Sequence, residues 1–521
     1  MRAKRTHTEV IGCIPAHTEH SDSNQKQEGK KMFLETMESI GDFLWGTPML
    51  VSIIGCGIVY TLISKGFTFR HFGYIMKNTF GKMKGGNEKD DRISAFQAAC
   101  VAIGGCVGTG NLGGVASAIA TGGPGALLWM WIWAFLGMTI KMGEVALGCY
   151  YRLKNEKGEH YGGATYYMIE GIGKQKGMKK LGAALAWLFG ITFMFQAISS
   201  SQMKTVAEAL EASFSIPQIP FACLYTLGLI WVLYKGKTRI AKFASKTVPF
   251  MCVLYIVGGL GLIIINYQNL PHVIYSVFYN AFNPTAASGG FVGCVVSRTI
   301  RTGVARAINS NEAGMGASPL IHSQAETDHP IRQGLWGCFE VFVDTMIVCS
   351  ITALAILSTG VWNSGLSSSA LTIEAFRAGY GTVGVVVIGL ICLMFGLTTS
   401  TGWYVYYCSM IRHAFQKNPL RRDKALHIFK VIYPWPNLIW LVLLVSFNIS
   451  PSALWAIKDI VTVFPTFFNV VAMLLLADVF VKLLKDYKAR YMGIGTVDPN
   501  FKVFYEDEVA AQNCGGQRND K

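Results

Sequence analysis

The sequence predicts an all-α polytopic membrane protein of about eleven spans, two inverted repeats of five behind one extra N-terminal helix. Three observations predict it. Of 521 residues, 51% are hydrophobic and 15% charged, where a soluble chain carries about 25% charge. Apolar runs of membrane-spanning length recur along the chain. Two of those runs are interrupted by glycine clusters, and five spans separate one interruption from the next. An odd number of spans per repeat inverts the second copy. Paired interruptions in inverted halves point to a transporter binding site.

Residues 1–31 are polar and mixed in charge, with no apolar core of a signal peptide, and read as a disordered tail. Either Met1 or Met32 can be the start. Residues 32–92 hold the extra first span, 46–64, and a basic loop with Lys65, Arg70, Lys77, Lys82, Lys84, Lys89 and Arg92.

The first repeat, 93–266, opens with the broken span 93–121. Between Gly104 and Gly114 it holds six glycines around Thr109 and Asn111. Glycine costs roughly 1 kcal/mol per helical position relative to Ala, so a continuous helix is not expected there. Bare backbone at membrane depth is tolerated only beside protein or a cavity. The ends of two half-helices would offer N–H groups to an anion and C=O groups to a cation. Span 125–150 opens with Trp129, Trp131 and Trp133, an interfacial aromatic belt. Lys141 and Glu144, three apart, read as an ion pair within it. A basic loop, 151–180, precedes spans 181–210, 219–234 and 245–266.

The second repeat, 267–482, opens with span 286–316, whose residues 285–296, TAASGGFVGCVV, form the second interruption. Taken singly, either glycine cluster could instead serve close helix packing. Arg298, Arg301 and Arg306 are expected to face a cytoplasmic vestibule. Spans 334–360, 383–412, 430–447 and 451–482 follow, then a polar tail, 483–521. Basic residues crowd one set of loops, including Lys235, Lys237, Arg239, Lys242 and Arg421, whereas the opposite set holds only Arg377. That asymmetry predicts an outside N-terminus and a cytoplasmic C-terminus in the plasma (inner) membrane.

Net charge is +15, but the cations lie in these short loops, so they read as topology signal and no nucleic-acid partner is expected. The thirteen cysteines show no metal or disulfide spacing. The sequence has no HExxH, GxSxG or Walker A motif and no paired mid-span carboxylates, which argues against an enzyme or an ATP-driven pump. A channel would need a continuous polar pore. Asp344, deep in an apolar run, is a functional candidate because intramembrane carboxylates are costly.

GGCVGTGNLGGVASAIATGGPGALLWMW, GVARAINSNEAGMGASP at 303–319 and HPIRQGL at 329–335 resemble the alanine or glycine:cation symporter family, as does TALAILSTGVWNSG at 352–365. The resemblance covers about residues 43–482. It implies the leucine-transporter-type fold and sodium-coupled import of a small neutral amino acid, alanine, glycine or serine, by a monomer in the lipid bilayer without a further cofactor. The alternative is proton coupling, with Asp344 or Glu340 titrating. GGCVGTGN also resembles the first core helix of the neurotransmitter:sodium symporters, and FGLTTS at 395–400 their eighth.

By that resemblance Thr109 and Gly110 would offer N–H groups to the substrate carboxylate, and Asn111 would reach the carboxylate or an ion. Gln202 would face the substrate. Phe291 and Val295 would wall its side chain, and Trp403 would close the pocket, with Thr399 beside it. Gly104 and Val107 would give carbonyl oxygens to sodium, and Thr398 and Thr399 hydroxyls. The chain departs from the family pattern at Ile198-Ser199-Ser200-Ser201-Gln202 and Thr399-Ser400-Thr401-Gly402-Trp403, where the extra hydroxyls bear on substrate choice.

Overall fold

The computed structural model describes residues 17–82, 93–156, 158–198, 201–234, 236–283 and 292–509; side chains at 17–28, 30–31, 292–297 and 452 lie outside that description. Helix α1 (His17–Leu44) bends by 48° into α2 (Thr47–Ile63). Half of the stretch expected to be disordered is therefore helical. The Met32–Leu44 part of α1 packs on the rest of the bundle, and helix extends from a packed segment at one hydrogen bond per residue. Two short helices, α3 (Phe67–Arg70) and α4 (Phe72–Asn78), lie in the basic loop.

Helix α5 (Ala95–Cys106) starts at a reciprocal cap between Ser94 and Gln97. It stops at Val107, whose ψ of 96° is extended. A π-helical turn, Gly110–Gly114, leads into α6 (Val115–Gly122), and the two halves differ by 41° in direction. Then come α7 (Ala126–Tyr150), a hairpin of β1 (Leu153–Lys154) and β2 (His160–Tyr161), and α8 (Ala164–Tyr166), which continues as a π-helical stretch, Tyr167–Gln175. The expected span 181–210 is two helices, α9 (Lys179–Phe195) and α10 (Gln202–Phe214). Helices α11 (Gln218–Leu233), α12 (Lys237–Ile265) and α13 (Leu270–Phe282) follow.

Helix α14 (Val292–Asn311) is followed by irregular chain, a short α15 (Pro319–His322), and α16 (Pro330–Val341), which runs through a π-helical stretch, Phe342–Cys349, into α17 (Ser350–Ser358). Helix α18 (Ser368–Ala414) is kinked at Gly381, where φ is 60°. Helices α19 (Pro419–Ile432), α20 (Pro434–Ser446), α21 (Pro451–Leu475) and α22 (Ala477–Met492) complete the chain. Four of the last helices carry proline in the first turn, where its missing N–H costs nothing.

Among the described residues, six helical runs and the two bent pairs are long and apolar enough to cross a bilayer. The chain is a multi-pass membrane protein. The expected spans 181–210, 219–234 and 286–316 appear as broken or shorter helices. Large apolar side chains such as Trp187, Trp231 and Val257 lie exposed on the outside. Buried carboxylates, amides and hydroxyls gather in the middle, where α5 and α6 pass between α7, α12, α14 and α18. The bundle thus has two ends, one marked by Gly122 and the other by Ala95.

Candidate functional site

The site is built on the break between α5 and α6. The break frees the Gly104 and Gly105 carbonyls at the end of α5, which side chains of α18 take, and a helix start leaves its first N–H groups short of intrahelical acceptors. Thr109 is 1% exposed, and its Oγ1 has no hydrogen-bond partner among the described residues. Across from it, Thr399 Oγ1 on α18 donates to Gly104 O at 3.0 Å. A Cβ added at Gly108 would lie 2.0 Å from that same hydroxyl oxygen. Glycine is required there because α18 presses on the chain. Thr398 Oγ1 donates to Met394 O and Phe395 O on its own helix at 2.9 and 3.0 Å. A Cβ at Gly104 would lie 3.2 Å from Thr398 Cβ. Three of the expected residues, Gly104, Thr398 and Thr399, therefore meet at one junction, and Val107 stands at the end of α5 next to Gly108. The junction offers carbonyl and hydroxyl oxygens without a carboxylate. Hard cations take such ligands. Among the described residues, no cluster of three His, Cys, Asp or Glu side chains could hold a metal.

A second group forms around Asp344, which is fully buried. Its Oδ1 accepts from Asn111 Nδ2 at 2.6 Å, and its Oδ2 from Ser310 Oγ at 2.9 Å and Thr345 Oγ1 at 2.8 Å. Asn111 Oδ1 accepts from Gly108 N at 2.7 Å, which pins the break itself. Both Asn111 and Asp344 lie in π-helical segments. Such segments widen the turn and occur often at functional sites.

The second break differs from the sequence expectation. Residues 285–291 lie outside the described residues, but the backbone of 292–296 is helical. The visible interruption is 312–318, with positive φ at Glu312, Gly314 and Gly316. Asn309 and Ser310, at the end of α14, meet the first break; a Cβ at Gly110 would lie 3.5 Å from Ser310 Cα. Phe291 lies outside the described residues. Val295 is fifteen residues before Ser310, roughly 22 Å along a helix at 1.5 Å per residue. Its side chain lies outside the described residues. Further along α14, Gly303 serves packing: a Cβ there would lie 2.6 Å from Ala126 O.

Lys141 and Glu144 do not pair as an isolated helix surface would have them. Lys141 Nζ donates to Asn311 O at 2.6 Å and lies 3.6 Å from Glu340 Oε2. Glu144 Oε1 accepts from Gly316 N at 3.0 Å and from Asn469 Nδ2. One residue caps the last carbonyl of α14 and the other holds the irregular chain beyond it. Glu340 also meets His322, on α15. Arg298, Arg301 and Arg306 lie at the Gly122 end, not at the end of the basic loops: Arg298 pairs with Glu38, Arg301 with Asp42 and Arg306 with Asp459. They lie there because α14 precedes the interruption at 312–318 rather than following it.

Gln202 begins α10. It lies one turn before Thr205 on the same face, and Thr205 Cγ2 would be 3.0 Å from a Cβ at Gly113. Trp403 Nε1 donates to Gly105 O at 3.3 Å, and its ring stacks on Phe193 at 5.5 Å. It braces α5 against α9. Sequence reasoning missed Asn309, Ser310 and Asn311, whose signal was the polar run Asn309-Ser310-Asn311-Glu312 ahead of two glycines.

The model of the sodium:alanine symporter family matches residues 30–502. An uncharacterized transporter of Haemophilus influenzae is 36% identical over 87% of this chain and 96% of its own. The sodium/alanine symporter AgcS of Methanococcus maripaludis is 32% identical over 87% of this chain and 97% of its own. A solved sodium-coupled sialic acid symporter, 9% identical, superposes with a TM-score of 0.51 over 84% of this chain and 98% of its own. The fold is of the leucine-transporter type.

Proposed function

The chain belongs to the sodium:alanine symporter family, and on that footing we propose how its two breaks carry a small neutral amino acid, alanine or glycine first and serine next, together with sodium. The protein is a sodium-coupled secondary transporter and not an enzyme. The observation that carries the site assignment is the first break: a helix start at Thr109 and Gly110, with Thr109 buried, Gly110 half-buried and the Thr109 hydroxyl unpartnered among the described residues.

The substrate carboxylate docks on the N–H groups of Thr109 and Gly110, at the positive end of α6. Asn111 fixes the turn through Gly108, and Asp344 supplies the negative charge that meets the substrate ammonium. Gln202 borders the space from α10. Sodium takes the carbonyls of Gly104 and Val107 and the hydroxyls of Thr398 and Thr399. It ties α5 to α18 and organises the break where the carboxylate lands. One chain contains both breaks and all these groups, so a monomer suffices. The exposed apolar belt faces lipid, the Gly122 end faces outside, and the Ala95 end, with the basic loops, faces the cytoplasm of the cell that bears it in its plasma membrane.

A zwitterion carries no net charge, so membrane potential alone cannot concentrate it. One co-transported cation gains about 2.3 kcal/mol per 100 mV, which at about 1.4 kcal/mol per decade supports roughly 40-fold accumulation. Uptake of labelled alanine into vesicles, with external sodium replaced by choline, is the test. Uptake should collapse. Full uptake without sodium, driven by an imposed pH gradient, would instead establish proton coupling.

A further inference from the structure

Where α11 ends and α12 begins, an open groove of about 900 Å³ lies on the outside of the bundle. Leu227, Ile230, Trp231 and Tyr234 of α11 form its apolar wall, and Thr238, Arg239 and Lys242 of α12 its polar end. Trp231 is 64% exposed and Tyr234 71%. Leu224, Leu227 and Trp231 stand three and four residues apart, so they share one outward face of α11. A continuous apolar face of this kind marks contact with a membrane or a partner, and Trp and Tyr gather at the level of the lipid headgroups.

The polar end carries charge without compensation. No carboxylate lines the groove. Among the described residues neither Arg239 nor Lys242 pairs with one, whereas the neighbouring Lys237 is taken by Glu159 at 2.6 Å. Arg239 and Lys242 are three residues apart on one face of α12. The Arg239 guanidinium lies over the Trp231 ring, 4.0 Å from its centroid. That contact fixes the cation at the rim of the apolar wall and leaves its N–H donors for an anion.

We propose that this groove binds one anionic phospholipid of the inner leaflet. Arg239 and Lys242 hold the phosphate, and an acyl chain lies along Trp231 and Leu227. The inference takes from the reading above only the orientation, which puts the start of α12 on the cytoplasmic side. A zwitterionic lipid brings an ammonium that two uncompensated cations repel, and an anionic lipid does not. A free phosphate lacks the chain that the apolar wall takes. A second copy packed here about a twofold axis would bring like charges together. The site also reaches the first break. Val248 lies nine residues past Arg239, roughly 14 Å along α12, and its Cγ2 would be 2.9 Å from a Cβ at Gly104. A lipid held at the start of α12 therefore bears on the helix that backs the sodium junction.

The test is native mass spectrometry of the purified full chain, stripped of lipid and offered phosphatidylglycerol and phosphatidylcholine with the same acyl chains at equal concentration. One Lys or Arg near a bilayer surface contributes about 1 kcal/mol toward an anionic lipid, about fivefold. The first lipid bound by the parent should favour phosphatidylglycerol by about 25-fold on the same scale. Lys242→Gln should lower that ratio to about fivefold, and Arg239→Gln combined with Lys242→Gln to about one. Trp231→Ala should weaken the binding of both lipids. Parent-like melting in the stripped state shows that the variants are folded, and the parent ratio needs no variant. A parent ratio near one overturns the site, and so does a ratio unchanged in the double variant. Dimers that form on stripping and vanish in Trp231→Ala would overturn it in favour of a second copy. Displacement of the lipid by inorganic phosphate alone would overturn it in favour of a bare anion site. Failure of sodium-dependent alanine binding in the parent would count against the symporter reading and leave the lipid site standing.

Discussion

Asn111 Nδ2 donates to Asp344 Oδ1 at 2.6 Å, joining two π-helical segments that lie 233 residues apart in the chain. This contact closes a polar knot that includes Ser310 and Gly108 and ties the first break, the end of α14 and the middle of the α16–α17 run together. Asp344→Asn removes the charge proposed for the substrate ammonium. Alanine KM at saturating sodium should rise at least about tenfold, the 1.4 kcal/mol expected of one hydrogen bond to a charged group. A change confined to the sodium dependence would assign Asp344 to the ion.

The two threonines of α18 should differ in degree. Thr398→Val and Thr399→Val each remove one oxygen and keep the shape. Each should raise the sodium concentration for half-maximal uptake by about two- to tenfold, matching 0.5–1.5 kcal/mol per polar contact. Thr399→Val should be the larger because its hydroxyl already spans to Gly104 O, whereas Thr398 bonds its own helix. Coupling is reciprocal, so both variants should blunt the tightening of sodium by alanine.

Gly108→Ala places a methyl 2.0 Å from Thr399 Oγ1. Helix α18 or the break must shift. Uptake at fixed sodium should fall more than about tenfold, since one misplaced ångström in a positioning site costs far more than a lost contact. Gly73→Ala, with nothing within 4 Å of the new Cβ, should leave uptake unchanged.

Lys141→Met strands the Glu340 carboxylate and leaves Asn311 O without its donor. Breaking a buried pair costs about 3–5 kcal/mol. The purified protein should melt several degrees lower, and Lys141→Met combined with Glu340→Gln should recover part of the loss. Equal melting of the single variant and the parent would deny the capping role.

The orientation is open to cysteine labelling in a Cys223→Ser background, since Cys223 is exposed. A reagent unable to cross the membrane should modify Gln268→Cys in intact cells and leave Lys242→Cys untouched. The reverse would turn the whole bundle over, and the Gly122 end would then face the cytoplasm.

The sequence by itself determined the membrane class, the first break and the family. These are local properties: apolar length, glycine density between Gly104 and Gly114, and ungapped motifs. It also placed Thr398 and Thr399 against the first break, through motif resemblance. The tertiary structure alone revealed the departure from helix at 312–318. Glycine density pointed to 285–296, of which 285–291 lie outside the described residues and 292–296 are helical. The chain departs from helix at Glu312, where Lys141 and Glu144 reach in from α7 to take the freed carbonyl and N–H. Those partners are some 170 residues away, and a glycine breaks a helix only where something else satisfies the backbone it releases. For the same reason spacing suggested a Lys141–Glu144 pair. Only the fold shows that each is committed to α14 and the chain beyond it.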